Sequence, residues 1–315
     1  MLGLGLIGGS VLQALARGGY RVVGYDPDRD EAALAQGSGY QVAATAAEAV
    51  AGADLVVLAM PLPQLPGALT EIRPVLDRAA VLTDVGTLKT PVLPVVAARL
   101  PGCRFVGGHP LAGTERSGFL ASDPMLFRDA PWSLTLEPDT DLTAWLAVAV
   151  LLCDLGARPV PTTAAEQDLA VARVIGLPHL LAETLALTGL QGGELGLSLA
   201  AGSYTSGSRV ARTRPELVAT WCDGNSGLID ALDDAIAWLA STRESLARGE
   251  SVLPLAKAGH QARLDWENRE FAPVDLPADP AELLRHGRAG GWITAVVEKD
   301  GPDLGELRLL GMRPL

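Results

Sequence analysis

The stretch Gly3-Leu4-Gly5-Leu6-Ile7-Gly8, continued by Gly9 and Ser10, decides the fold. It matches G-x-G-x-x-G opening a helix. The first glycine permits a tight turn, the second lets a pyrophosphate reach the backbone, and the third lets the helix pack against the preceding strand. The helix beginning near Gly9-Ser10 points its free N–H groups and positive dipole end at the phosphates. Val11, Leu12, Leu15 and Ala16 then recur at helical spacing, and Gly18-Gly19 stops the helix. Tyr20 to Tyr25 reads as a buried strand ending at Asp26, 18 residues after Gly8. An acid near that spacing accepts the ribose hydroxyls of a dinucleotide and repels a 2′-phosphate, so NAD is expected over NADP. As a plain structural residue, Asp26 would simply make the turn before Pro27.

One feature conflicts with this pattern. A dinucleotide-binding domain begins with a strand of about five residues, yet only Met1 and Leu2 precede Gly3. The expectation is that translation starts upstream of Met1, or that the domain is weakened at its centre. The apolar run MLGLGLIGGSVLQALA also resembles a signal-peptide core. It lacks a basic leading segment, and the nucleotide loop accounts for its glycines better.

Working outward, strands and helices alternate. Strands are expected at 54–60, 80–84, 104–106 and 131–136, with helices at 28–36, 46–51, 65–77 and 90–99. Repeated βα units imply a doubly wound, mainly parallel sheet of the Rossmann type, with helices on both faces and ligands at the carboxyl ends of the strands. Two polar loops fall at such ends. Asp84-Val-Gly-Thr87-Leu-Lys89 follows one strand, and Gly107-Gly-His109-Pro-Leu-Ala-Gly-Thr114-Glu115 follows another. His109 carries the side chain best suited to take a proton near neutral pH. Blander roles fit the same residues: Asp84 as a helix cap, the glycines as a turn, His109 at the surface.

The composition narrows the classes. The 315 residues suggest two domains and a smaller extra piece. The formal net charge is −12, which leaves no basic footprint for nucleic acid or an anionic membrane surface. An anionic substrate would need locally placed Arg and His. Cys103, Cys153 and Cys222 form no C-x-x-C pair, so neither a disulfide framework nor a metal site is expected. That sparse set fits a reducing compartment. No charge-free run of 18 apolar residues is present to span a membrane.

Taken in order, GLGLIGGS, the acid after the second strand, DVGTLK and GGHPLAGTE resemble the prephenate dehydrogenase family of tyrosine biosynthesis, including its arogenate-using members. Two later motifs extend the resemblance over roughly residues 1–270: Leu177-Pro-His179-Leu180, and Ser203-Tyr-Thr-Ser-Gly-Ser-Arg209-Val-Ala-Arg212-Thr-Arg214. The resemblance implies a cytoplasmic, NAD-dependent enzyme that oxidatively decarboxylates prephenate. Arogenate is the alternative substrate, and a non-catalytic sensing protein on the same scaffold is a further alternative. In this reading His109 is the catalytic base and Thr87 assists it. Arg209, His179, Thr114 and Glu115 bind substrate, while Gly3, Gly5, Leu6, Ile7, Gly8 and Asp26 bind the cofactor. Arg212 and Arg214 are read as solvated or capping residues. Position 87 departs from the family, which usually has Ser there; Thr keeps the hydroxyl with fewer rotamers.

The expected organisation is a nucleotide-binding domain over 1–160, an all-helical substrate and dimerisation domain over 161–270, and a short α/β appendage over 271–315. Residues 163–189 read as one helix kinked near Ile175–His179. Long apolar faces on these helices suggest a homodimer. In the appendage, Pro273, Pro277 and Pro280 mark a linker before a helix at 281–288 and strands at 292–298 and 305–310. It is short for the regulatory ACT domain of some family members, and a packing extension or edge hairpin is the plainer reading.

Overall fold

The structure is a computed structural model that describes residues 1–114, 116–298 and 307–315. Its chain divides into two units: residues 1–167 with 272–313, and residues 168–271 with 314–315.

Unit 1 is built on a parallel sheet. Its strands are β1 (Val23–Gly24), β2 (Gln41–Val42), β3 (Leu55–Leu58), β4 (Val81–Asp84) and β5 (Arg104–Val106). β1 pairs with β2, and β3-β4-β5 form a second parallel group. The gap between the groups is the central position, and Leu2 fills it, bridging in parallel to Tyr25 on one side and Leu58 on the other. Backbone bonds accompany both bridges: Gly3 N–H to Tyr25 O, Tyr25 N–H to Met1 O, Leu2 N–H to Val57 O, and Ala59 N–H to Leu2 O. The order is therefore β2-β1-Leu2-β3-β4-β5, a doubly wound sheet with Leu2 at its central position.

Helices cover both faces. Ala46, Ala49 and Val50 of α3 (Ala46–Val50), Leu65, Leu69 and Ile72 of α4 (Leu65–Ile72), and Val92 and Val96 of α5 (Val92–Arg99) pack on one side with Leu2, Val56 and Leu82. On the other, Val11, Leu12 and Leu15 of α1 (Leu6–Arg17) pack with Val57 and Val81. α6 (Leu142–Asp154) joins this second core, and α2 (Arg29–Gly37) follows β1. α6 is apolar nearly all round because it is also covered by Leu283 and Ile293 of the C-terminal segment.

A second small sheet extends the carboxyl side: β6 (Gly108–Pro110), β7 (Pro131–Thr135) and β8 (Arg158–Thr162), in that order. β6 corrects the expectation that His109 lies in a loop. The segment is held extended by antiparallel pairing, with His109 opposite Ser133. β8 has one unpaired edge in this sheet, and Pro159 and Pro161 alternate with the residues it pairs, so no N–H is left pointing outward at those positions.

The C-terminal segment closes over that edge. It comprises β9 (Phe271–Pro277), a helix (Pro280–Arg288), β10 (Trp292–Glu298) and β11 (Leu307–Pro314), with strand order β10-β11-β9. β9 replaces the expected linker; Pro273 and Pro277 are accommodated because it is an edge strand. A Cβ on Gly287 would lie 1.7 Å from the Pro161 carbonyl oxygen, so the helix seats backbone against β8. Arg158 lies 5.0 Å over the Trp292 ring.

Unit 2 is helical. The predicted kinked helix is α7 (Ala164–Val171) running through a π turn (Ala172–Gly176) into α8 (Leu177–Leu190). By length and composition alone Ala164–Leu190 could cross a membrane, but it carries the Arg173–Asp234 ion pair and a buried His179. Shorter helices follow at Gly193–Ser198, Gly202–Gly207 and Pro215–Cys222, and longer ones at Gly227–Ala247 and Leu253–Glu267.

The Met1 nitrogen donates to Val23 O at 2.8 Å, so Met1 as well as Leu2 and Gly3 is bonded to the β1 segment.

Candidate active site

The glycine loop has the shape its fingerprint demands. Gly3 has φ +95, and a Cβ there would lie 2.2 Å from Ala59 O, while one on Gly8 would lie 2.0 Å from Gly3 O. Gly5 has nothing within 4 Å, which leaves its backbone open to a pyrophosphate. Gly5 is also the N-cap of α1, and no side chain caps that helix end. Asp26 sits just beyond the Tyr25 bridge and accepts from Leu4 N–H at 2.6 Å and Asp28 N–H at 2.9 Å. These bonds tie the acid to the glycine loop and leave lone pairs for two ribose hydroxyls. The residues present therefore fit a dinucleotide. Ser10, Gln13 and Glu31 hold residues 119–123 over the starts of α1 and α2, through Asp123 N–H, Ser122 Oγ and Phe119 N–H.

The same carboxyl edge carries a buried polar cluster. Lys89 is 0% exposed and Asp84 3%. Lys89 Nζ pairs with Asp84 Oδ2 and donates to Gly108 O at 2.7 Å. Asp84 Oδ1 accepts from Gly108 N–H at 3.1 Å, and Oδ2 from Gly86 N–H at 3.0 Å. The pair thus grips both backbone groups of Gly108. A Cβ on Gly108 would meet Asp84 O at 2.7 Å and Trp132 Nε1 at 2.9 Å, so no other residue fits between them. Asp84 is a buried ion-pair partner with two backbone N–H groups in hand, not a helix cap.

His109, the next residue, is 4% exposed. Its Nδ1 lies 2.8 Å from Gln167 Oε1, and Gln167 Nε2 donates to the Thr87 carbonyl at 3.0 Å. Thr87 is thereby linked to His109 through its backbone. Thr114 is exposed, and its Oγ1 accepts from Arg116 N–H at 3.2 Å. Glu115 lies outside the described residues.

In unit 2, His179 on α8 is 9% exposed. Its ring stands edge-on to Trp221 at 4.9 Å, and its Nδ1 has no partner among the described residues. Burial pushes the imidazole below its ordinary range; Glu183 and a hydrogen bond to the Val210 backbone oppose this, and the Arg209 charge adds to it. Arg209 opens the short turn Arg209–Arg212, which packs on α8. Arg209 is exposed and makes no ion pair among the described residues. An exposed guanidinium beside a buried imidazole whose Nδ1 has no partner among the described residues suits an anionic group. Arg212 and Arg214 are exposed as well.

On its fold and its glycine loop, unit 1 is a nucleotide-binding domain of the doubly wound class. A family model described as the nucleotide-binding domain of prephenate dehydrogenase matches residues 11–160. A cyclohexadienyl dehydrogenase of Zymomonas mobilis is 32% identical over 288 residues, covering 84% of this chain and 94% of the relative. A prephenate dehydrogenase of Bacillus subtilis is 30% identical over 336 residues, covering 99% and 88%. A crystal structure from Corynebacterium glutamicum, provisionally described as a prephenate dehydrogenase, superposes with a TM-score of 0.80 at 39% identity, covering 85% and 88%. The chain belongs to the prephenate dehydrogenase family of oxidoreductases.

Gln167 was not among the residues expected to act, and Lys89 had no role beyond its place in a motif. Thr163-Ala-Ala-Glu166 was a legible capping signal for the helix start, but nothing in the sequence directs a glutamine 58 residues away onto His109. The weight of the buried pair can be measured. Lys89→Met strands a buried carboxylate and should cost about 3–5 kcal/mol. Lys89→Met combined with Asp84→Asn should recover part of that loss in denaturant titrations.

Proposed function

We propose that this chain is an NAD-dependent prephenate dehydrogenase, acting in the cytoplasm as a homodimer. The observation that carries the reading is His109, buried and held by its backbone and Nδ1 at the edge of the sheet where the nucleotide loop lies. Prephenate bears a ring hydroxyl and, across the ring, a carboxylate. His109 accepts the hydroxyl proton. Bound NAD supplies the hydride acceptor. As the ring carbonyl develops, it draws electrons from the bond to the carboxylate; CO2 departs and the ring becomes aromatic. Aromatisation drives the reaction, so the protein's tasks are to orient the ring and take one proton. Arg209 and His179 hold substrate carboxylate, a role supported by the exposed guanidinium and the orphaned Nδ1 beside it. With a net charge of −12 the chain as a whole repels such an anion, so these two groups carry its recognition. Thr87 contributes its hydroxyl toward the reacting group, and Thr114 and Glu115 contact substrate.

Dimerisation is supported by apolar residues left exposed on unit 2, among them Leu187, Leu190, Leu195, Ile236, Trp238 and Leu239. So many large apolar side chains left exposed on one unit suit a protein interface. Arogenate remains the second reading, because the Zymomonas mobilis relative is named for the ring that both compounds share.

NADH formation with prephenate and with arogenate tests the assignment; turnover of neither overturns it. His109→Asn should lower kcat by at least about 10²-fold, the usual contribution of a general base, with NAD affinity nearly unchanged. Arg209→Ala should raise KM for the substrate with only a modest loss of kcat, the pattern of an interaction shared by ground and transition states.

A further inference from the structure

We propose that Gln167 is a positioning residue that fixes the tautomer of His109, so that Nδ1 stays protonated and Nε2 is the nitrogen that takes and releases the mobile proton. The inference rests on the reading of His109 as the base.

The argument runs through a chain of obligatory donors and acceptors. The Thr87 carbonyl can only accept. The Gln167 amide must therefore present its NH2 group to that carbonyl, at 3.0 Å. Turning the amide over would set Oε1 against another oxygen lone pair. The orientation is thus determined by the network, and it leaves Oε1 facing His109 Nδ1 at 2.8 Å. An amide oxygen is an acceptor only, so Nδ1 must be the donor. The titrating lone pair then belongs to Nε2.

The glutamine is itself firmly held. Gln167 is 3% exposed. It sits in the first turn of α7, where Thr163 and Glu166 form a reciprocal cap: Glu166 Oε2 accepts from Thr163 Oγ1 at 2.8 Å and from Thr163 N–H at 3.2 Å, and Thr163 Oγ1 accepts from Glu166 N–H at 3.3 Å. Glu137 takes the next N–H, that of Ala164, at 2.6 Å. Arg288 of the C-terminal helix holds the other Glu166 oxygen at 2.6 Å. A neutral amide orients the ring without adding charge beside it. Asp84 and Lys89, the charged groups on the segment next to β6, are already paired with each other.

The test reads the tautomer directly. In long-range 1H–15N correlation spectra of histidine-labelled protein at a pH where His109 is neutral, the His109 ring should show a protonated Nδ1 and an unprotonated Nε2. His109→Asn identifies the signals among the four histidines. His286, whose Nε2 faces the Trp292 carbonyl at 3.1 Å, should show the opposite tautomer in the same spectrum. Gln167→Met should mix the His109 tautomers and lower kcat by roughly 10- to 100-fold, part of what a general base contributes, with KM for substrate and NAD within about twofold. Gln167→Glu keeps an acceptor toward Nδ1 and should preserve the tautomer, while the charge it adds moves the acid limb of the pH–rate profile to higher pH. An Nε2-protonated His109 in the unmodified protein overturns the proposal, as does a Gln167→Met protein with unchanged spectrum and kcat. Failure of prephenate turnover would instead overturn the functional reading, and the spectrum would still decide the tautomer.

Discussion

The ion pair between Lys89 and Asp84 is the constraint on which the rest of the site depends. Two charges removed from water cost several kcal/mol each, and a hydrophobic pair in the same volume would often be as stable. What the charges contribute is direction. Between them they bond the N–H and the carbonyl of Gly108 and the N–H of Gly86. They hold the end of β4 against the start of β6, so His109 leaves the sheet from a backbone with no freedom to rotate. A base at His109, as proposed, must stand within hydrogen-bond reach of one proton, and its backbone is fixed at Gly108, the residue before it.

The glycine loop and this pair share the same edge of the sheet for a topological reason. All parallel strands end there, and each chemical element follows a strand end: Gly3 after Leu2, Asp26 after Tyr25, Asp84 at the end of β4, Gly107 after β5. At the central position Leu2 joins the two strand groups and keeps the order of the sheet. Leu2 is fully buried and bonded on both sides, and Met1 and Gly3 complete the pairing with Tyr25. A sheet of this kind needs its central backbone groups satisfied, and Met1, Leu2 and Gly3 satisfy those of the neighbouring strands.

Much of this was legible because it rests on local rules. Glycines at fixed offsets, an acid closing a strand and polar loops after apolar runs each follow from short-range geometry, and they located the sheet, its ligand edge, His109 and Asp26. The parts that were not legible depend on distant pairing. β6 is a strand only because β7 lies beside it; its sequence, Gly-His-Pro, has none of the β-branched character of one. β9 carries two prolines and reads as a linker until its edge position is known. Gln167 and His109 meet only after β7, α6 and β8 have folded back between them.

The last of these explains why the C-terminal segment belongs to the catalytic argument. It was the least informative stretch in the sequence, yet its core residues Leu276, Leu283, Ile293 and Leu309 are continuous with the α1–α6 face of unit 1. It covers β8, whose prolines had already closed that edge to further pairing. Gly287 is the position that allows so close an approach, and Arg288 beside it reaches Glu166 across the junction. One residue further along α7 is Gln167. Packing that looks merely structural thus ends one peptide bond from the side chain that orients the imidazole. A change in how the segment seats on β8 would reach the His109 ring through the first turn of α7.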